Sequence, residues 1–269
     1  MIAAKFDVHA RQAGDLIWNA WQLGAALTAL PDACRPTTRD EGYAVQAAIA
    51  TRSPRPIAGW KIAATSVAGQ RHINVSGPLA GRLFAERVRA DGDVLSMAGN
   101  RMAVAEAEFV FRMARDLVSR AEPYSLDEVL DAVDDLWLGI EVPNSRFADF
   151  VGAGEAQLIA DNACAHDFVL GPRAAVSWRE LDLAAHRVHA TVTGTTRSYA
   201  RDGVGANVLG DPRIALAWLA NELSAHGMTL AEGALVTTGA CIAPLEIVPG
   251  DEVVADFGVL GRMSARFAA

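Results

Sequence analysis

The stretch Ala103-Val-Ala-Glu-Ala-Glu-Phe-Val-Phe-Arg-Met-Ala114 places two acids one residue apart in an otherwise largely apolar run. On a β-strand, residues two apart share a face, so Glu106 and Glu108 would point the same way, about 6 to 7 Å apart at their stems. On a helix they would diverge by about 200 degrees. The residues of the opposite strand face are all apolar: Ala105, Ala107, Phe109, Phe111 and Met113. The pattern therefore predicts a strand that buries one face and presents two carboxylates on the other.

A second segment supplies a third candidate ligand. In Leu136-Trp-Leu-Gly-Ile-Glu-Val-Pro-Asn-Ser-Arg146, strand alternation places Glu141 on the face opposite Leu136, Leu138 and Ile140. Like charges on a partly buried face repel each other and lose hydration, and a bound cation relieves both costs. Three carboxylates favour Mg²⁺ or Mn²⁺ over zinc and leave coordination positions for water and a chelating substrate. The spacing alone fits equally well a solvated strand edge with scattered acids.

The composition narrows the functional classes. The 269 residues are 51% hydrophobic and carry a net charge of -8, so we expect a sizeable core and no nucleic-acid partner, which would need a clustered basic face. There is no basic leader followed by an apolar stretch and no run that could span a bilayer, so we expect a cytoplasmic protein with no membrane partner. The cysteines Cys34, Cys164 and Cys241 fit neither a disulfide framework nor a zinc site, and we expect buried thiols.

The first 56 residues are predicted to form a helical arm. Asp7 is the expected N-cap of a helix whose apolar positions recur at helical spacing: Ala10, Ala13, Ile17, Ala20 and Leu23. Thr38 and Glu41 form a capping box before a second helix, which the proline-rich residues 53–56 end.

Residues 57–269 are predicted to form a β-rich catalytic domain with two clear helices. One helix follows a capping box of Ser125 and Glu128 and runs to about Asp134. The other begins after Asp211 and ends before Gly227. The tail, residues 234–267, alternates like two or three antiparallel strands with a turn at 249–251. The mixture indicates an α+β fold.

Five short segments, in this order along the chain, resemble the 2-keto-4-pentenoate hydratase branch of the fumarylacetoacetate hydrolase superfamily. They are Gly59-Trp-Lys-Ile-Ala-Ala-Thr-Ser66, Ala105-Glu-Ala-Glu-Phe109, Glu141-Val-Pro-Asn-Ser-Arg146, Ala160-Asp-Asn-Ala163 and Thr238-Gly239. The likeness covers nearly the whole chain, and the ordered combination is specific to the superfamily although each segment alone is weak.

The resemblance implies a mixed β-roll or β-sandwich core of the fumarylacetoacetate hydrolase C-terminal type, assembled into homo-oligomers. It implies Mg²⁺ or Mn²⁺ held by three residues: Glu106, Glu108 and Glu141. It places Lys61 beside the metal, where the ammonium could fix a substrate carboxylate or 2-oxo oxygen. It also implies three residues near the substrate, through side chain or backbone: Asp161, Asn162 and Thr238.

The activity implied is the hydration of a 2-hydroxy-2,4-dienoate to a 4-hydroxy-2-oxo acid. A divalent metal would polarise the 2-oxo group and stabilise the enolate, which hydration shares with decarboxylation and carbon-carbon hydrolysis. A 4-oxalocrotonate-type decarboxylase and an acylpyruvate-type hydrolase are therefore alternatives. A catalytically silent subunit that binds a 2-oxo acid is a further alternative.

One position departs from the branch. Its hydratases often carry an acid directly after the proline of Val75-Ser-Gly-Pro-Leu-Ala-Gly-Arg-Leu-Phe84, where this sequence has Leu79. An aliphatic side chain cannot move a proton, so another group must do so or the reaction differs. The candidates are Glu86, His72 and His166, and a histidine near neutral pH could act as acid or base.

Overall fold

A computed structural model gives the fold, describing the backbone of residues 2–269 and the side chains of residues 8–269. Over these residues there are six α-helices. They are α1 (Ile2–Leu23), α2 (Arg39–Ala50), α3 (Val67–His72), α4 (Leu126–Leu130), α5 (Glu155–Ala160) and α6 (Pro212–Ala225). None of these helices combines the length and the apolar character that crossing a bilayer requires.

Thirteen strands form two sheets in the described part of the chain. They are β1 (Ile57–Ala63), β2 (Leu79–Phe84), β3 (Val88–Ala90), β4 (Val94–Ser96), β5 (Val104–Met113), β6 (Val133–Val142), β7 (Asp167–Arg173), β8 (Arg187–Thr193), β9 (Ser198–Val204), β10 (Leu235–Ala240), β11 (Leu245–Glu246), β12 (Glu252–Asp256) and β13 (Arg262–Ala268). The larger sheet has the order β2-β1-β10-β5-β6-β7-β3, with β11 paired to β5, and the smaller has the order β4-β13-β12-β8-β9. The α+β prediction is confirmed.

Strand β5 carries the predicted alternation. It pairs with β6 in antiparallel register, Glu106 opposite Glu141 and Phe109 opposite Leu138. The apolar alternates face the main core and are each at most 1% exposed: Ala105, Ala107, Phe109, Phe111 and Met113. Because the apolar face anchors the strand, the acidic face is fixed in direction and position.

The helix caps confirm three predictions and correct one. Thr38 with Glu41 and Ser125 with Glu128 both form complete capping boxes, and the Asp211 side chain caps α6. The prediction that Asp7 is an N-cap is wrong, because α1 begins at Ile2 and residue 7 lies inside it. Leu23, predicted to be on the apolar face, is 80% exposed in the last turn of α1.

The tail is divided between the two sheets. β12 and β13 are antiparallel neighbours as predicted, but β10 lies in the larger sheet, parallel to β1 and antiparallel to β5. Two helices that the pattern did not indicate, α3 and α5, are six residues long. α5 follows Gly154, at φ 87°, and has no side-chain cap, so its sequence carries no start signal.

The helical arm packs on the outside of the larger sheet. Ile17 and Trp21 of α1 and Ile49 of α2 form a buried cluster with Phe84, at the end of β2, and Phe147, which follows β6. The arm thus lies against the loops that leave β2 and β6.

Candidate active site

Three carboxylates converge in the centre of the larger sheet. Glu106 and Glu108 come from β5, and Glu141 comes from β6, directly opposite Glu106. One oxygen from each lies within 4.8 Å of the others. Glu108 and Glu141 are buried, at 0% and 1% exposure, and Glu106 is half-buried. Such spacing allows one cation to touch all three groups.

The surroundings leave carboxylate oxygens free. Glu108 Oε2 accepts hydrogen bonds from the Thr237 hydroxyl and, at 2.7 Å, from the Gly239 amide. Among the described residues, Glu108 Oε1 and Glu141 Oε2 are buried and have no hydrogen-bond partner. Buried oxygens without partners are costly, and a cation would satisfy them, so these residues fit a divalent metal.

The electrostatics support the same conclusion. Burial, followed by repulsion from Glu141, raises the pKa of Glu106 to about 7. Burial and the two neighbouring carboxylates raise the pKa of Glu108 well above its usual range. The protein alone therefore does not stabilise three negative charges here, whereas a divalent cation would.

Lys61 provides one positive charge. It lies on β1, is 3% exposed, and places Nζ 3.0 Å from Glu141 Oε1. Nζ also donates to the Ala163 carbonyl at 3.0 Å. Burial lowers the pKa of Lys61, but attraction to Glu141, Glu106 and Glu108 outweighs it, so the net change is upward. The structure therefore places a held ammonium beside the carboxylates.

The three residues expected near the substrate have structural partners. Asp161 is buried and pairs with Arg146, and the Ser145 hydroxyl donates to it at 2.6 Å. The Asn162 side chain bonds the backbone of Arg82 at 2.7 and 2.8 Å. The Thr238 hydroxyl donates to the Phe109 carbonyl at 3.0 Å.

Sequence reasoning missed Thr237, which holds Glu108. Thr237 lies beside Lys61 across the parallel β1–β10 pair, so it shares the face of the carboxylates, whereas Thr238 points the other way. The ladder to β5 shifts register between Thr237 and Ala240, so the faces of β10 could not be assigned from the sequence.

None of the three proton-transfer candidates bonds the carboxylates in the described part of the chain. The His166 Nδ1 accepts from Trp21 Nε1 at 2.8 Å, and burial, helped by nearby arginines, lowers the pKa of His166 to about 3. Glu86 accepts from the Ser53 hydroxyl at 2.8 Å. His72 is exposed, with its ring 6.2 Å from that of Phe150.

Leu79 lies on the same sheet face as Lys61. It pairs with Ala63, two residues from Lys61 along β1, and it is fully buried. The departure from the branch therefore lies in the buried interior, on the sheet face that carries Lys61.

Comparisons with known proteins agree with this geometry. Residues 52–268 match the family described as fumarylacetoacetate (FAA) hydrolase C-terminal. The chain is 30% identical over 259 residues to a 2-keto-4-pentenoate hydratase of Paraburkholderia xenovorans, covering 95% of this chain and 94% of that protein. It is 30% identical over 230 residues to a 4-oxalocrotonate decarboxylase of Pseudomonas putida, covering 84% of each.

A solved structure extends the likeness to three dimensions. The 4-oxalocrotonate decarboxylase from Pseudomonas putida G7, complexed with magnesium and adipate, superposes with a TM-score of 0.84 at 27% identity and covers 96% of this chain and 97% of that one. The resemblance drawn from the five segments is confirmed, and the chain belongs to the fumarylacetoacetate hydrolase family.

Proposed function

We propose that the protein is a divalent-metal-dependent hydratase that adds water to a 2-hydroxy-2,4-dienoate to give a 4-hydroxy-2-oxo acid. The observation that carries the proposal is the buried cluster of Glu106, Glu108 and Glu141 with its two free oxygens, faced by Lys61. The relatives named 2-keto-4-pentenoate hydratase, about 30% identical over nearly the whole chain, support this choice among 2-oxo-acid reactions.

Glu106, Glu108 and Glu141 would hold the metal, which we propose to be Mg²⁺ or Mn²⁺. The decarboxylase of similar structure was solved with magnesium and, separately, with calcium, which supports a hard divalent ion. When bound, such an ion supplies Lewis-acid polarisation of the 2-oxo group. The partners we propose are a 2-oxo acid or dienoate substrate and further copies of this chain.

The role we propose for Lys61 is to bind the anionic end of the substrate. Its Nζ donates to the Ala163 carbonyl and forms an ion pair with Glu141 Oε1, and these two contacts engage at most two of the three protons of an ammonium. The third proton is available for a substrate carboxylate or 2-oxo oxygen, and a charge-assisted bond in a buried site is strong.

His166 and Glu86 remain our candidates for proton transfer, and the geometry favours His166. Glu86 lies in a 3₁₀ turn after β2, and the end of β2 at Phe84 is already about 10 Å along the strand from Gly81, the residue paired with Lys61. His166 precedes Asp167, which pairs with Val142, the neighbour of Glu141. Since Nδ1 accepts from Trp21, a neutral His166 carries its proton on Nε2, and the ring could serve as an acid only after Nδ1 had exchanged the Trp21 bond for a proton.

Decarboxylation of a 2-oxo diacid is the second candidate, and Leu79 is the observation that favours it. Loss of CO₂ leaves an enolate that needs less proton transfer than addition of water, so an aliphatic residue on the Lys61 face is easier to accommodate. The decarboxylase of similar structure supports this alternative.

The deciding experiment supplies the purified protein, in separate assays, with 2-hydroxypenta-2,4-dienoate, with 4-oxalocrotonate and with an acylpyruvate, each with Mg²⁺ or with a chelator. We expect metal-dependent loss of diene absorbance in the first assay and little CO₂ in the second. CO₂ release without diene hydration would establish the decarboxylase instead. Turnover of neither substrate, or turnover of an acylpyruvate alone, would overturn both.

Leu79→Asp adds a second test, with Leu79→Asn as the matched polar control. If the site binds the diene correctly, the aspartate should raise hydration, since a general acid or base contributes about 10² to 10⁴ in rate. The asparagine should not. A gain that is equal in both variants would count against the assignment of a proton-transfer role to this position.

A further inference from the structure

Three consecutive residues beside the site hold a backbone conformation that L-amino acids seldom adopt. Asn162, Ala163 and Cys164 have φ angles of 57°, 50° and 62°, and none of them is glycine. We call them the left-handed turn. They are also buried, at 0%, 1% and 8% exposure. A run of three such residues in the interior persists only where surrounding contacts impose it, and it tends to mark functional positions.

Asn162 fastens the turn to β2. Its Oδ1 accepts from the Arg82 amide at 2.7 Å, and its Nδ2 donates to the Arg82 carbonyl at 2.8 Å. The side chain thus occupies both backbone groups of one strand residue, as a neighbouring strand would. The fit is close, because a Cβ on Gly81 would lie 2.3 Å from the Asn162 carbonyl oxygen.

Arg146 holds the turn from the other side. Its guanidinium donates to the carbonyls of Asp161 and, at 2.8 Å, of Ala165, the two residues that flank the turn. It also pairs with the Asp161 carboxylate, and Arg146 is 1% exposed. A planar, fully buried guanidinium with fixed acceptors is a rigid support.

The contacts of Asn162 and Arg146 fix the direction in which the Ala163 carbonyl points. The Ala163 oxygen, in the middle of the turn, accepts a hydrogen bond from Lys61 Nζ at 3.0 Å, and Glu141 Oε1 forms an ion pair with the same ammonium at 3.0 Å. A lysine side chain has four rotatable carbon-carbon bonds, so without a second acceptor its ammonium would not have one defined position. We propose that the left-handed turn positions the Lys61 ammonium and that Asn162 is the residue that sets the turn.

Asp161 and Asn162 then have a role different from direct substrate contact. The carboxylate of Asp161 and both polar atoms of the Asn162 amide are engaged within the protein. They are positioning residues that act through Lys61. The position of Lys61 does not depend on which reaction the site performs, whereas its effect on turnover rests on the proposed function.

The composition allows a direct test. The chain has two lysines, Lys5 and Lys61. Labelling with [¹⁵N]lysine therefore gives at most two ammonium signals in an NMR spectrum of the whole protein, and Lys5→Arg identifies that of Lys61. The hydrogen exchange rate and ¹⁵N shift of this signal report how firmly the ammonium is held, with no substrate or metal needed.

The variants are Asn162→Ala and Asn162→Gly, which both remove the two bonds to Arg82. Glycine adopts positive φ without strain, so the second variant removes the bonds and keeps the left-handed backbone accessible. Asn74→Ala is the matched control, since Asn74 is an exposed asparagine that is also left-handed, at φ 52°. We expect exchange of the Lys61 ammonium to accelerate about tenfold in the first two variants, the factor that one net hydrogen bond corresponds to. The control should match the wild type.

An unchanged Lys61 signal in Asn162→Gly and in a folded Asn162→Ala would overturn the proposal. Should Asn162→Ala fail to fold, Asn162→Gly decides alone. A kinetic arm separates this outcome from a failure of the proposed function. If Asn162 acts through Lys61, Asn162→Ala raises KM for the substrate in the wild-type background and adds no further loss in a Lys61→Met background. Faster ammonium exchange without any change in kinetics would keep the positioning role and count against the role of Lys61 in substrate binding.

Discussion

Glu106 and Glu108 differ in what holds them, although they lie two residues apart on one strand face. Glu108 is fully buried and fixed by Thr237 and Gly239, which leaves one oxygen free. Glu106 is half-buried and lies directly opposite Glu141. Like charges directly opposite on neighbouring strands are destabilising, so the pair is tolerable only with a cation between or beside the two carboxylates. Lys61 supplies part of that compensation.

Glu106→Gln and Glu108→Gln should each reduce metal affinity and activity together, because each removes a charged oxygen ligand. Loss of an outer-shell partner of a metal typically costs 10- to 100-fold in affinity, so loss of a ligand should cost at least about 100-fold. Calorimetric titration with Mg²⁺ measures the affinity. Glu252→Gln, an exposed glutamate on β12, is the control. Full activity of either site variant after exhaustive chelation would refute the metal site.

Lys61→Met should weaken substrate binding while sparing metal binding. The metal-free protein should also lose stability, because removing one partner of a buried ion pair typically costs about 3 to 5 kcal/mol. Added Mg²⁺ should restore much of that loss. The measurements are KM, metal affinity, and denaturant unfolding with and without Mg²⁺. Equal loss of metal and substrate binding would contradict the assignment of Lys61 to the substrate.

Among the elements, the interface between α1 and the strand ends contains His166. Its ring lies 5.8 Å from that of Trp21, and the pKa of about 3 follows from burial and from the charges of Arg87, Arg146, Arg89 and Arg101. Asp167 is the acidic neighbour, 3.5 Å from Nε2. The interface therefore requires a neutral imidazole, and protonation opposes docking of the arm.

The free energy of unfolding should fall as the pH drops below about 6.5, the ordinary histidine value. Between that value and a folded pKa of about 3, the unfolded chain binds the proton and the folded chain does not, so stability decreases by up to about 1.4 kcal/mol per pH unit. His166→Gln should flatten the curve between pH 6.5 and 5 relative to the wild type. His189→Gln, which alters an exposed histidine on β8, is the control for the substitution itself. Parallel curves for the wild type and His166→Gln would show that the histidine is not held neutral.

The elements also show how far the sequence predicts the site. Strand β5 was predictable because its period-two pattern is unbroken over ten residues, and α2, α4 and α6 were predictable because their caps are local. The left-handed turn was not, since Ala163 and Cys164 carry no local signal for positive φ. The residues on either side of them, Asn162 and Ala165, are held by Arg82 and Arg146 from other parts of the chain. Asp161 and Asn162 could be located near the site from the motif, but their partners depend on tertiary packing.

At the scale of the whole molecule, the site joins the interior to the arm through a continuous set of contacts. Trp21 of α1 packs under the guanidinium of Arg146, at 4.3 Å, and Arg146 supports the turn that reaches Lys61. The boundary of the arm at residue 56 remains a prediction. Because the arm touches a residue that supports the site, we expect its removal to affect activity as well as stability.

Mg²⁺ should stabilise the entire fold. A ligand present at 100 times its Kd adds about 2.7 kcal/mol to the free energy of unfolding, and in a chain of this size that corresponds to an increase in Tm of about 5 to 10 °C. Thermal unfolding with Mg²⁺ and with a chelator measures the difference, and Glu106→Gln should abolish it. A Tm that does not change with Mg²⁺ in the wild type would be incompatible with the three-carboxylate site.

The position of the three glutamates in central strands has a consequence for ion size. Both strands are hydrogen-bonded on either side, and the Glu108 carboxylate is fixed by Thr237 and Gly239, so the cage cannot widen as a flexible loop can. Ca²⁺ requires bonds of about 2.3 to 2.6 Å and more ligands, whereas Mg²⁺ requires about 2.0 to 2.1 Å. A cage of fixed diameter discriminates by ionic radius, so calorimetric titrations with Mg²⁺, Mn²⁺ and Ca²⁺ should give clearly different affinities.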